Sequence, residues 1–274
     1  MNKLSIALAV AASLGLAASS AGAADLIDAR PVPHVIPAPI EVASGWYIRG
    51  DVGTGVADFR DFTLSPADPA LKQVQKSIES PPIIGVGVGY QFNDFLRADI
   101  TGEYRGNQGF SFVRSDKNDP FQSISAYNGK LSSVLVLANG YIDLGNFYGI
   151  TPFVGGGVGF AHHRFSGLQD AGYIVFGGGY GYAATRESTE FAWAIHAGLA
   201  YAVNDNLKLE ASYRYANLGS PVAGQIVCQG PGDCSRPTLT ARDLTSHDFR
   251  LGARWLFNPP QQVVRVERPV IARN

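Results

Sequence analysis

Residues 246–257, SHDFRLGARWLF, put Phe249, Leu251, Ala253, Trp255 and Phe257 on one side of an extended chain. Ser246, Asp248, Arg250, Gly252 and Arg254 fall on the other. Alternation of period two predicts a β-strand with one apolar and one polar face. Residues 207–217, LKLEASYRYAN, repeat it: Leu207, Leu209, Ala211, Tyr213 and Tyr215 oppose Lys208, Glu210, Ser212, Arg214 and Ala216. The same reading holds for 46–52, 84–92, 95–105, 133–144 and 191–203. In the last of these, small residues and His196 oppose the apolar row. Residues 151–163, TPFVGGGVGFAHH, are Gly-rich and alternate least clearly. Eight strands of roughly ten to thirteen residues are predicted, against about five to six in soluble sheets.

The connections alternate as well. Residues 93–94, 145–149 and 204–206 are short and rich in Asn, Asp and Gly, as tight turns require. Links at roughly 58–82, 106–129, 165–188 and 218–245 are long and predicted as loops. Long strands, with short turns at one end and long loops at the other, are the pattern of a transmembrane barrel. The predicted fold is all-β: an eight-stranded antiparallel transmembrane up-and-down barrel with a side-chain-filled interior. With an even strand number both termini fall in the periplasm, in a multi-pass protein of the outer membrane.

The first 23 residues carry Lys3, an apolar run from Ile6 to Leu16 and Ala21-Gly22-Ala23, which together predict a signal peptide over 1–23. Residues 24–44 hold Pro31, Pro33, Pro37 and Pro39 and are predicted as an extended periplasmic linker. The barrel domain is predicted over 45–257 and a periplasmic C-terminal tail over 258–274. Beyond the signal segment no stretch offers the eighteen or so apolar residues of a membrane helix.

The charge on the polar faces adds the chemistry. Arg49, Arg97, Arg105, Lys208, Arg214, Arg250 and Arg254 share those faces with Asp51, Asp99, Glu103, Asp143, Glu210 and Asp248. Seven cations nearly balance six carboxylates, so the expectation is an interior charge network, with the apolar rows turned to lipid. A buried ion needs a partner, because an unpaired one costs several kcal/mol. The formal net charge of -1 gives no electrostatic case for nucleic acid as a partner. Trp46, Tyr47, Tyr90, Phe92, Trp255 and Phe257 gather at the turn end, where an aromatic girdle belongs.

The segments GWYIRGDVG (45–53), GVGYQFND (87–94), TPFVGGGVGF (151–160), NLKLEASYRY (206–215) and LGARWLF (251–257) resemble the small alphaproteobacterial, rhizobial OmpA-like outer-membrane β-barrels of the surface-antigen family. The resemblance covers about 45–257. It implies assembly by the outer-membrane insertion machinery, with Phe257 as the aromatic of the insertion signal, followed here by the tail 258–274. It also implies outer-membrane lipid and lipopolysaccharide as surroundings, with peptidoglycan or a host surface as further partners.

Three smaller features remain. Cys228 and Cys234, in CQGPGDC, are expected to close a loop disulfide in an oxidising compartment. His162-His163-Arg164 stands at a strand end, as a polar rim group or, from the resemblance, a hemin contact. His162, Ser166 and Asp170 are the residue types of a hydrolytic triad, although their spacing says little. The expected function is a structural, surface-exposed outer-membrane protein that contributes to envelope integrity and surface interactions. It has no catalytic residues, no metal and no cofactor. A small channel or a hemin- or solute-binding uptake barrel is the alternative, and a lipid A-modifying barrel enzyme is the third reading.

Overall fold

The computed structural model describes residues 44–65, 71–116, 124–173, 179–229 and 236–257. The signal peptide, most of the linker and the C-terminal tail expected from the sequence lie outside these residues. Thirteen strands make up the described chain: β1 (Gly45–Asp58), β2 (Asp61–Ser65), β3 (Leu71–Ile78), β4 (Pro82–Gln91), β5 (Leu96–Asp116), β6 (Ile124–Asp143), β7 (Ile150–Tyr173), β8 (Tyr180–Ala183), β9 (Arg186–Ala202), β10 (Leu207–Asn217), β11 (Val222–Gln229), β12 (Thr238–Arg242) and β13 (Thr245–Leu256).

The expected eight-stranded up-and-down barrel is corrected by this count. All thirteen strands join one antiparallel sheet, ordered β2-β12-β11-β8-β7-β6-β5-β4-β1-β13-β10-β9, with β3 branching from β5. An additional pairing joins β7 to β9. The stretches expected to be loops are largely strand. β5 has 21 residues and β7 has 24, and both run far past the ends that the alternation marked.

The physical reason lies in a reversal of polarity. Along β5 the residues turned inward are Arg97, Asp99, Thr101, Glu103 and Arg105, all buried. The register against β6 then shifts between Arg105 and Gln108, and the buried side chains beyond the shift are Gln108, Phe110 and Phe112. A bulge inserts an extra residue and re-aims the side chains beyond it. β7 does the same: Ala161, His163 and Phe165 are buried, the register against β6 shifts, and Leu168 is buried next. At that shift Gly167 adopts φ 60, the left-handed region that Gly enters without a Cβ clash.

The inward face is therefore layered. Toward the tight turns it is charged. Toward the other end it is an apolar core in which Phe62, Phe110, Phe112, Leu131, Leu135, Phe165, Leu218 and Leu239 are all buried. Phe62 stacks on Phe112 at 4.3 Å, and Phe112 on Tyr127 at 4.4 Å. Strands β2, β8, β11 and β12 supply one wall of that core through Leu64, Ala183, Ile226 and Ala241.

The outward face is apolar over the span between the turns and this core. Val52, Val86, Ile100, Val136, Val158, Ile195, Leu209 and Leu251 are exposed in successive strands. No helix of the described residues is long and apolar enough to cross a membrane, which says nothing against crossing by strands.

Candidate functional site

Among the described residues, charged side chains are concentrated on the turn-proximal half of the inward face. β1 contributes Arg49 and Asp51; β5 contributes Arg97, Asp99, Glu103 and Arg105; β6 contributes Asp143. β10 contributes Lys208, Glu210 and Arg214, and β13 contributes Asp248, Arg250 and Arg254. All are buried except Lys208, which is half-buried. Period two fixes this arrangement, because every one of these residues falls on the inward parity of its own strand.

The ion pairs form three tiers. In the tier under the apolar core, Arg105 Nε lies 2.9 Å from Glu103 and its Nη2 bonds Asp248. Arg214 reaches Glu103 at 2.7 Å and Asp248 at 2.6 Å, while Arg250 bonds Asp51 and stands 3.2 Å from Glu103. Ser246 accepts from Arg105 Nη1 at 3.0 Å.

In the middle tier Arg49 donates to Asp99 at 3.3 Å and to the Tyr141 hydroxyl at 3.2 Å, and it pairs with Glu210 at 3.3 Å. Asn139 Nδ2 donates to Asp99 at 2.7 Å, and the Tyr47 hydroxyl donates to Asp99 at 3.1 Å. His196 Nε2 donates to Asn139 Oδ1 at 3.2 Å.

In the tier next to the turns Arg97 pairs with Asp143 at 3.1 Å and Arg254 with Glu210 at 2.9 Å. The Arg97 guanidinium also lies over Tyr141, 4.0 Å from its centroid, and over Phe153, at 4.7 Å. Such a cation–π contact offsets part of the cost of burying a cation.

Tyr47, Tyr141, Asn139, Thr101, Gln91 and Ser246 complete the network; Tyr47, expected in the aromatic girdle, is instead buried on the inward face, and none of the six was assigned to the charge network from the sequence. Their signal was parity alone, since each is on the inward row of its strand. The glycines opposite them make the space: a Cβ at Gly155 would strike the Tyr141 ring, and one at Gly157 would strike Asn139 Oδ1.

The remaining candidates separate. His163 is buried: its Nε2 donates to the Leu218 carbonyl at 2.8 Å, and its Nδ1 accepts from Ser133 at 2.7 Å. His162 points outward, 2.9 Å from the Thr189 hydroxyl and 3.5 Å from Glu187. Because the bulge at Gly167 reverses the faces, His162 and Ser166 share one parity, while Asp170 falls on the inward one beside Tyr127. The proposed triad is not assembled. Among the described residues no group of three metal-ligating side chains occurs. Cys228 stands in β11, while Cys234, and with it the expected disulfide, lies outside the described residues. Phe257 is exposed, and its amide donates to the Trp46 carbonyl at 3.0 Å. Trp46, Tyr90 and Phe92 follow one another edge-on at the turn end.

An inward face of ion pairs beneath an outward face of Val, Ile and Leu defines a membrane-embedded β-sheet protein. Residues 8–257 match the family model described as "Outer membrane protein beta-barrel domain". The chain belongs to that family and is a β-stranded outer-membrane protein. It is 33% identical over 267 residues to an uncharacterized protein of Brucella abortus (strain 2308), covering 87% of this chain and 93% of that one. It is 28% identical to the outer membrane protein PagN of Salmonella typhimurium, covering 78% of this chain and 90% of PagN. Among solved structures, the outer membrane protein OprG from Pseudomonas aeruginosa aligns over 79% of this chain and 97% of its own, with TM-score 0.46 and 14% identity. The family shown is thus broader than the rhizobial, OmpA-like group expected from the sequence.

Proposed function

We propose that this chain is a non-catalytic structural protein of the outer membrane that carries a surface-exposed cap of strands and conducts no ions. One observation carries the reading. Along the inward face, the ion-paired tiers give way to a continuous apolar core running from Phe59 and Phe62 through Phe110 and Phe165 to Leu239. An ion moving along that face would leave paired charges for hydrocarbon, where an unpaired charge costs several kcal/mol. The three tiers tie β1, β5, β6, β10 and β13 together by charge-assisted bonds, which suits a part that resists deformation rather than one that opens.

In this reading both termini are periplasmic. The turn end then faces the periplasm, and β2, β3, β8, β11 and β12 stand outside the cell, among lipopolysaccharide headgroups and available to a host surface. Phe257 ends the last strand and serves the insertion machinery. The dispersed His162, Ser166 and Asp170 favour the absence of catalysis.

The test is single-channel recording of the refolded full-length protein in planar bilayers. A flat baseline is expected; steady unitary currents would overturn the reading. In cells, deletion is expected to raise sensitivity to detergent with chelator, and complementation is expected to restore resistance.

A further inference from the structure

The three tiers do not balance equally. In the two tiers farther from the turns, Arg49, Arg105, Arg214 and Arg250 meet Asp51, Asp99, Glu103 and Asp248, four of each sign. In the tier next to the turns, Arg97, Arg254 and Lys208 face only Asp143 and Glu210, and Glu210 is shared with Arg49. Lys208 forms no ion pair among the described residues. Arg97 Nη1 and Nη2 and Arg254 Nη2 find no hydrogen-bond acceptor there, as Arg49 Nε and Arg250 Nε find none in the other tiers, and both Arg97 and Arg254 are fully buried. A buried donor left without an acceptor costs about 1–3 kcal/mol, and more when charged.

Beside this tier lies a cavity of about 430 Å³ that opens at the turns. Buried Gln91 and Thr151, half-buried Lys208 and exposed Asp94 and Asp205 are among its lining residues. Gln91 is the direct cross-strand neighbour of Arg97, and Lys208 that of Arg254. The excess positive charge of this tier therefore sits next to a cavity, which Lys208 lines and behind which Arg97 and Arg254 are buried.

We infer that this cavity binds a small oxyanion, a carboxylate or a phosphate, held by Lys208 and drawn by the unbalanced guanidiniums of Arg97 and Arg254. The anion completes the charge balance that the chain's own carboxylates leave short. Asp94 and Asp205 act against it, but they stand exposed on turns, where water and salt screen them. Affinity is accordingly modest and falls with ionic strength.

The test titrates the refolded full-length protein in detergent micelles with inorganic phosphate and, separately, with acetate, at low ionic strength. Saturable binding of at least one anion with a Kd of about 1 mM or tighter is expected. Lys208→Gln, confirmed as folded by its gel shift on boiling, is expected to weaken it about tenfold, and Asp205→Asn to tighten it. Phosphate binding without acetate binding assigns the site to phosphates; binding of both assigns it to oxyanions generally. No saturable binding of either anion, or equal binding by folded Lys208→Gln, would overturn the inference. Neither result depends on whether the protein conducts, so failure here leaves the conductance test untouched.

Discussion

Asp248 shows what a single side chain does in this face. It accepts from Arg105 and from Arg214, the latter at 2.6 Å, and all three are buried. Asp248→Asn removes one charge and leaves two guanidiniums with only Glu103 between them. Breaking a buried pair in this way typically costs about 3–5 kcal/mol. The variant is expected to unfold at clearly lower urea concentration, read as loss of the heat-modifiable band. An unchanged midpoint would mean that the tier contributes little. These residues were legible because charge stands out on a strand's inward parity. Their partners Tyr47, Tyr141 and Asn139 were not, since an uncharged residue gives no sign in sequence of which charge it faces 52, 92 or 40 positions away.

At the scale of the element, β5 and β7 reverse their chemistry partway along. The run FSFVRS (110–115) places Phe110 and Phe112 on one parity and Ser111 and Ser115 on the other, with the aromatics turned inward. A reading tuned to apolar-outward rows ends each strand at the bulge and sees a loop beyond it. The bulge at Gly167 is the hinge of that reversal in β7. With φ 60 and no atom within 4 Å of an added Cβ, the cost of Gly167→Ala is conformational, about 1–2 kcal/mol. Hydrogen exchange in β8 and the outer part of β7 is expected to accelerate severalfold, while exchange in β10 and β13 stays unchanged.

The same outer segment carries a pH dependence. Burial pushes the Asp170 carboxyl up to about 6 from its ordinary 3.8, against the pull of the Tyr127 hydrogen bond. A carboxyl raised on folding binds its proton more tightly folded than unfolded. Stability of this segment is therefore full below about pH 4 and declines as pH rises through about 6. Asp170→Asn is expected to flatten the pH dependence of amide protection in β7 and β8 across that window. An unaltered profile would exclude Asp170 as its source.

For the whole molecule, the outward rows decide where the protein resides. Leu251 is 64% exposed, with Val52 and Ala211 as its cross-strand neighbours. Leu251→Arg places a cation against hydrocarbon, at a cost of about 2–4 kcal/mol near the bilayer midplane. Reduced insertion of the variant into vesicles is expected, with little loss in detergent, where the charge reaches water; equal insertion would deny that this row meets lipid. The sequence by itself determined which residues are paired in parity, which rows are apolar and which charges share a face, because a strand's alternation is a local property. It could not determine how many strands there are or what caps the charged tiers. Those depend on bulges that reverse a face and on Phe and Leu side chains from β2, β5, β7 and β12 meeting in one core, and such meetings are fixed only when segments distant in the chain pack together.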